Sequence, residues 1–154
     1  MWPITLQGEQ IELRPPRLSD RKQWDRVRSE NREWLAPWEA TLPETPAGAP
    51  ASEFITKRPS FYSMVRALHQ EARAGRSYSF MIWQGKNLIG QITMGGVIHG
   101  ALRGAHIGYW IDKNYAGRGH TTDAVNTLTR FAFEALALHR IEINIRPENA
   151  ASIR

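Results

Sequence analysis

Hydrophobic and polar positions change period several times along the chain, and each change marks an element. In "QIELRPP" Ile11 and Leu13 alternate with polar neighbours, which predicts a short strand stopped by Pro15 and Pro16. "LSDRKQWDRVRSE" follows with Trp24 and Val27 at helical spacing on a largely charged surface, and Ser19 or Asp20 stands where a helix cap belongs. "NREWLAPW" predicts a second short helical turn ended by Pro37. Residues 41–50, "TLPETPAGAP", hold three prolines and a glycine and read as an extended loop. From Ser60, "SFYSMVRALHQEARAG" puts Phe61, Met64 or Val65, and Leu68 on one helical face. Pro59 lies ahead of that helix and Gly75 supplies its stop.

The texture then becomes β-branched and aromatic. "SYSFMIWQ" and "LIGQITMGGVI" are two apolar runs joined by "GKN", a hairpin signal, and "HGALRG" leads into a third run, "AHIGYWID". In "HTTDAVNTLTRFAFEALAL" the residues Val125, Leu128, Phe131, Ala132, Ala135 and Leu136 recur at helical spacing, with Thr121, Thr122 and Asp123 suited to its first turn. "HRIEINIRPEN" alternates Ile141, Ile143 and Ile145 with polar residues. The predicted order is β-α-α-β-β-β-α-β, an antiparallel meander feeding one strand–helix–strand crossover, hence an α+β domain with a mixed sheet.

Composition bounds the reading without deciding it. At 154 residues, positions 1–154 read as a single domain, and the absence of cysteine removes disulfides and thiolate metal sites. The N-terminus "MWPITLQGEQIELRPP" has no charged-then-apolar leader, and no apolar run approaches membrane-spanning length, so a cytoplasmic protein without a membrane partner is expected. The formal charge of +5 is spread over the chain without a basic block. A solvated surface, an RNA partner and a phosphate-bearing ligand all fit it.

The chemistry concentrates in "GYWIDKNYAGRGHTTDAV". Gly117 and Gly119 lie where a strand runs into a helix, so they are either an ordinary tight turn or an anion loop whose free amides and helix dipole meet a phosphate. A Walker loop would need Lys where His120 stands, and a Rossmann fingerprint would need Gly or Ala at Thr122, so neither applies. Gly108, inside the preceding strand, predicts a bulge or a close backbone approach. A bulge there would splay this strand from the next and leave amides and carbonyls for an extended, peptide-like ligand arm ending in phosphates, such as pantetheine with its pyrophosphate.

With these stretches together, the sequence resembles the GNAT acetyltransferases, and within them the branch that acetylates ribosomal-protein N-termini. "IELRPPRLSD" is similar to the family's opening strand and helix, "NREWLAPWE" to the branch's helical insert, "IGYWIDKNYAGRGHTTDAV" to motif A, and "HRIEINIRPENAASIR" to the Asn-x-x-Ser segment of motif B. Asn114 stands where motif A usually has Gln or Arg. The resemblance implies acetyl-CoA as cosubstrate. The amides of Ala116, Gly117, Arg118, Gly119, His120 and Thr121 would grip the pyrophosphate. Trp110 and Ile111 would pair with pantetheine through their backbone, with the Ile111 amide as oxyanion donor. Asn149 would bond the pantetheine arm, and Ser152 would stabilise or protonate the departing thiolate.

The acceptor side is read more sparsely. An α-amine has a pKa of about 8 and a lysine about 10.4, so an N-terminal acceptor needs less help from a base. His106 lies where many relatives place a glutamate, and its type suits a base acting directly or through water, against the plainer reading of a packing or surface histidine. Asn144 aligns with another family base and cannot itself remove a proton. Trp34, Trp38, Phe61 and Tyr62 are candidates for the acceptor slot and, equally, for core. His69, His99 and His139 read as structural or surface residues, and no metal site is expected. Relatives continue past Asn-x-x-Ser into a helix and two strands, so a domain truncated after Arg154 is expected. The functional expectation is acetyl transfer from acetyl-CoA to a primary amine, foremost a protein N-terminus on a ribosomal protein, by a monomer or homodimer working near RNA. A ribosome- or RNA-associated binding protein with little activity, and an enzyme for small-molecule amines, are the alternatives.

Overall fold

A computed structural model describes residues 1–38, 60–145 and 149–153. The expected loop at 41–50, together with Pro59, lies outside the described residues. Six strands form one sheet in chain order: β1 (Leu6–Gln7), β2 (Glu12–Arg14), β3 (Tyr78–Gln84), β4 (Asn87–Ile98), β5 (Gly104–Ile111) and β6 (Arg140–Glu142). Neighbours pair antiparallel except β5 and β6, which are parallel. The helices are α1 (Arg21–Glu30), α2 (Arg32–Leu35), α3 (Phe61–Arg73), α4 (His120–Glu134) and α5 (Ala150–Ile153). This is the expected α+β mixed sheet, with β1 and α5 added to the predicted order and the short helical turn of "NREWLAPW" counted as a helix of its own, α2.

Alternation along the strands sorts the apolar side chains into two clusters, one per sheet face. Phe80 and Ile82 of β3, Ile89, Ile92 and Met94 of β4, and Ile107 and Ile111 of β5 pack on Ala124, Leu128, Phe131 and Ala132 of α4. The intervening residues Met81, Trp83 and Leu88 pack on Val27 of α1, with Trp24, Met64 and Trp110 around them. Burial on both faces explains why "SYSFMIWQ" is a near-continuous apolar run. Gly85, at φ +57, turns β3 into β4 as the hairpin signal requires.

Several local readings are corrected. Asp20 does not cap α1 with its side chain; its carboxylate accepts the Arg17 N–H at 2.8 Å and closes a 3-10 turn over Leu18–Asp20. Ser60 does cap α3, accepting the Ser63 N–H at 3.1 Å. Gly108 holds no bulge against β4: it pairs in register with Thr93, and the shift in this ladder falls between Gly95 and Ile98. The alternating isoleucines at 141–145 form strand only as far as Glu142, because β5 and β6 pair over just Gly104↔Arg140, Ala105↔Ile141 and His106↔Glu142.

The start of α4 is tied to the other edge of the sheet. Asp123 points away from its own helix end and accepts the N–H groups of Glu9 at 3.0 Å, Gln10 at 2.6 Å and Ile11 at 3.1 Å. Gly8 permits this, since a Cβ there would stand 2.8 Å from the carboxylate oxygens. Burial opposes the charge on Asp123, but the three backbone bonds, joined by the field of His120, outweigh it and hold the carboxyl below its ordinary range.

A lowered folded pKa means that the stabilisation is full above the ordinary value of 3.8 and fades as pH falls through the lower folded value. Asp123→Ala should therefore cost about 1–3 kcal/mol in urea unfolding at pH 7, with the gap to wild type closing in acid. A gap independent of pH would show that the carboxylate charge is not what the three amides hold.

Candidate active site

The strand β5 is paired to β4 along its length and, among the described residues, to β6 at three positions, so the edge of β5 beyond His106 has no described strand partner and forms a gap in the ladder. Which backbone groups face that gap follows from the register. Asp112 N–H donates to Ile89 C=O at 2.7 Å, which makes this a hydrogen-bonded pair in the antiparallel ladder. By alternation Trp110 and Gly108 also turn their backbone groups toward β4, while Tyr109 and Ile111 turn theirs into the gap. A Cβ on Gly90 would collide with the Trp110 carbonyl oxygen, which places that oxygen on the β4 side. Trp110 is therefore corrected as a backbone partner for a ligand arm: Tyr109, which the sequence reading missed, takes its place beside Ile111. Side-chain periodicity could not reveal this, because backbone direction depends on the pairing partner.

At the end of β5, Asp112 begins a 3-10 turn over Lys113–Tyr115, its carboxylate accepting the Asn114 N–H at 3.0 Å. Ala116 N–H is taken by Lys113 C=O at 3.2 Å, so Ala116 is corrected as an amide donor in the loop. Beyond it Gly117 and Gly119 sit at φ +73 and +82, conformations that side chains rarely adopt, and neither has a described atom within 4 Å of where a Cβ would stand. The first bond of α4 runs from Asp123 N–H to Gly119 C=O. The amides of Gly117, Arg118, Gly119, His120, Thr121 and Thr122 thus have no backbone acceptor among the described residues. His120 is buried, and its Nδ1 has no hydrogen-bond partner. A ring of free amides, a helix N-terminus and an orphaned imidazole nitrogen together fit a bound pyrophosphate.

The loop is braced from the N-terminal helices, which no sequence pattern announced. Asn31, between α1 and α2, is 3% exposed and Asp112 is 5% exposed. The Asn31 amide donates to Val27 C=O at 2.8 Å and to Asp112 Oδ1 at 3.1 Å, and its Oδ1 accepts the Lys113 N–H at 2.8 Å. Trp34, on α2, donates its indole N–H to the Ile111 carbonyl at 3.1 Å. Trp34 therefore reaches the end of β5, while Phe61 instead packs on Trp24 with ring centroids 5.5 Å apart. Tyr62 is exposed on α3, and Trp38 ends the 3-10 turn Ala36–Trp38.

On the face opposite α4, Gly108 has no described atom within 4 Å of a Cβ position, so among the described residues space opens above β5. His106 and Trp110 flank that space on the same face by alternation. Gln91 Oε1 accepts the indole N–H groups of Trp24 at 3.4 Å and Trp110 at 3.3 Å, and its amide donates to Ser79, which is bonded to Thr93 at 2.8 Å. His106 is exposed, and its imidazole lies over the Gly95–Gly96 irregularity of β4: a Cβ on Gly96 would stand 2.8 Å from its Nδ1. Asn149 and Ser152 sit at α5, where Asn149 Oδ1 and C=O accept the Ser152 N–H at 3.3 and 3.2 Å. Asn144 is exposed beyond β6. His69 accepts the Trp2 indole at Nδ1 and meets Pro16 C=O through Nε2, and His99 Nε2 lies 3.0 Å from Gly75 C=O. Among the described residues no group of three His, Cys, Asp or Glu could hold a metal, and no described helix is long and apolar enough to cross a membrane.

A mixed sheet whose parallel pair splays above a glycine phosphate loop defines an acyl-CoA-binding acetyltransferase domain. Residues 10–154 match the family described as the acetyltransferase (GNAT) domain, and the chain belongs to that family. It is 30% identical to the probable N-acetyltransferase YjcK of Bacillus subtilis over 97% of this chain and 78% of that protein. It is 26% identical to the [ribosomal protein uS5]-alanine N-acetyltransferase of Escherichia coli, over 80% of this chain and 60% of that enzyme. The structure of Mycobacterium smegmatis RimJ in complex with CoA-disulfide superposes with a TM-score of 0.84 at 36% identity, covering 99% of this chain and 72% of that one. These similarities place the chain in the RimJ/RimL-like branch.

Asn31→Ala should destabilise the domain by about 1–3 kcal/mol by stranding the Lys113 amide and removing a donor from buried Asp112. Asn31→Asp should cost more in denaturant unfolding, since it sets two carboxylates within hydrogen-bond reach. Equal stability of the alanine variant and wild type would mean that the pin bears no load.

Proposed function

We propose that this domain transfers the acetyl group of acetyl-CoA to a primary amine, foremost the N-terminal α-amine of a protein. The observation that carries the reading is the alignment of the β5–β6 gap with the free amides of Gly117–Thr122, which offers one continuous path for an amide-bearing arm and its pyrophosphate. The bound cosubstrate would supply an activated thioester. Ile111 would donate its N–H to the arm near the phosphates, and Tyr109, further from the loop and next to Gly108, would donate its N–H to the thioester oxygen as charge develops there. Asn149 would add a side-chain bond to the arm, and Ser152 would give a proton to the leaving thiolate.

The amine would approach across the open face above Gly108, beside His106. An α-amine with a pKa near 8 is partly neutral at pH 7, so an exposed histidine acting directly or through water is enough of a base, whereas a lysine near 10.4 would need a stronger one. The ribosomal-protein acceptors of the E. coli relative support a protein N-terminus and a cytoplasmic setting, with the chain's basic balance favouring approach to an RNA-rich partner.

Purified protein should release CoA from acetyl-CoA when offered peptides beginning with Ser or Ala, and turnover with no amine tested would sink the reading. Gly119→Asn tolerates the left-handed backbone and should keep much of the CoA affinity, while Gly119→Glu should abolish it, measured by calorimetry. Normal binding by the glutamate variant would mislocate the pyrophosphate. His106→Gln should lower kcat/KM about 10- to 100-fold and flatten the acid limb of its pH profile; an unchanged profile would return His106 to a packing role.

A further inference from the structure

The hydrogen-bonded chain on the open sheet face has a direction, and the direction follows from which groups can donate. Gln91 Oε1 takes the indole N–H groups of Trp24 at 3.4 Å and Trp110 at 3.3 Å. An indole nitrogen only donates, so the oxygen of the Gln91 amide faces the two rings and its nitrogen faces Ser79, to which it donates at 3.0 Å. Ser79 Oγ in turn lies 2.8 Å from Thr93 Oγ1, and on distance alone either hydroxyl can be the donor. Burial decides between them. Ser79 is 1% exposed, and among the described residues its side chain bonds Gln91 and Thr93 alone. Were Thr93 the donor, the Ser79 proton would be buried without an acceptor. Ser79 therefore donates to Thr93, and the Thr93 proton is left over.

We propose that Thr93 is a specificity-determining residue whose hydroxyl donates to a carbonyl oxygen on the carbon next to the reacting amine. The proposal rests on the reading of this face as the side from which the amine arrives.

The register places that hydroxyl beside the open space. Ser79, Thr93 and Gly108 form one row across β3, β4 and β5, on the face opposite α4. Thr93 is half-buried, and no described atom stands within 4 Å of a Cβ position on Gly108. A molecule in that space meets Thr93 as a side chain meets its cross-strand partner. The next row, Gly95 and His106, bounds the same space on the other side.

The ligand chemistry follows from a hydroxyl that has a proton to give. The α-amine of a peptide carries a carbonyl on the adjacent carbon, so with its nitrogen above Gly108 the oxygen can reach a donor one strand away, a separation of about 4.8 Å. A lysine side chain or an alkyl polyamine has only methylene groups there and leaves the hydroxyl without a partner. Thr93 thus favours α-amino carbonyl compounds, peptide N-termini among them, on grounds separate from amine basicity.

The test pairs a Ser-initiated peptide with its analogue in which an alkene replaces the first peptide bond, which removes the carbonyl without adding charge. The quantity read is the ratio of kcat/KM for the two, and the change of that ratio on Thr93→Val, in which the basicity of each amine cancels. The ratio should fall about 3- to 10-fold in Thr93→Val, the size of one hydrogen bond, and should hold in Thr93→Ser. A ratio that does not move overturns the proposal, as does an equal loss with both peptides, which would make Thr93 a structural residue. Thr93→Val strands the Ser79 proton, so if it does not fold the Ser79→Ala/Thr93→Val variant, lacking both hydroxyls, takes its place with the same expected fall. Calorimetric affinities of the two peptides for CoA-saturated protein give the ratio without turnover. Wild type that acetylates neither peptide, while the affinity ratio falls on substitution, refutes acetyl transfer and leaves Thr93 in its role. Turnover with an unmoved ratio overturns Thr93 alone, and wild type that neither binds nor acetylates either peptide overturns both.

Discussion

Everything at this site depends on one backbone constraint: β5 has a strand partner along one edge and, among the described residues, along the other at three positions only. Buried peptide groups need partners, and a strand edge that loses its neighbour must find them elsewhere. Tyr109 and Ile111 are the residues whose groups face the lost edge. A ligand carrying its own amides can substitute for the missing strand, which is the logic of strand addition applied to a small molecule. The parallel crossover makes this geometry available, because β5 must leave the sheet plane to enter α4 and β6 returns beside only its beginning.

The phosphate loop lies at the mouth of that gap, and its readiness for an anion comes from what its neighbours decline to do. A first-turn carboxylate normally competes for the free amides of its own helix. Here Asp123 is drawn outward by three amides of the β1–β2 turn, and Asp112 by Asn31 and Asn114. Two carboxylates flanking the loop are thereby satisfied by other partners, and the amides from Gly117 to Thr122 stay available. The same bonds tie the loop to both the first hairpin and the α1–α2 elbow, so preorganisation and fold stability share residues.

The sequence made the helices and the long strands legible because burial on a helix face or a sheet face leaves a period in the chain. The glycine pair was legible too, since left-handed φ at Gly117 and Gly119 favours that residue type. What stayed hidden depends on pairing between distant segments. Trp110 and Tyr109 look interchangeable until the register with Gln91 and Ile92 says which backbone faces β4. Asn31 reads as a helix end, and its partner Asp112 is 81 residues away. The Gly108 expectation failed for a related reason: the glycine serves an open face, not a bulge, and a missing side chain in the sequence does not say which.

The two sheet faces divide the remaining work, and this bears on how an amine would reach the thioester. The face under α4 is filled by Phe80, Ile92, Ile107, Leu128 and their neighbours, which leaves no route for a charged group. The other face carries apolar packing only toward α1, and around Gly108 it turns polar, with Thr93, Ser79 and Gln91 in one hydrogen-bonded chain. Space, polarity and His106 thus coincide on the side away from the helix that would hold the pyrophosphate. An amine arriving there would meet the thioester opposite the phosphate loop's helix, so acceptor and cosubstrate would enter without competing for one opening. That separation is what direct transfer in a ternary complex would require, and Asn31 and Trp34, through their bonds to Ile111, Asp112 and Lys113, fix the strand end from which the phosphate loop departs.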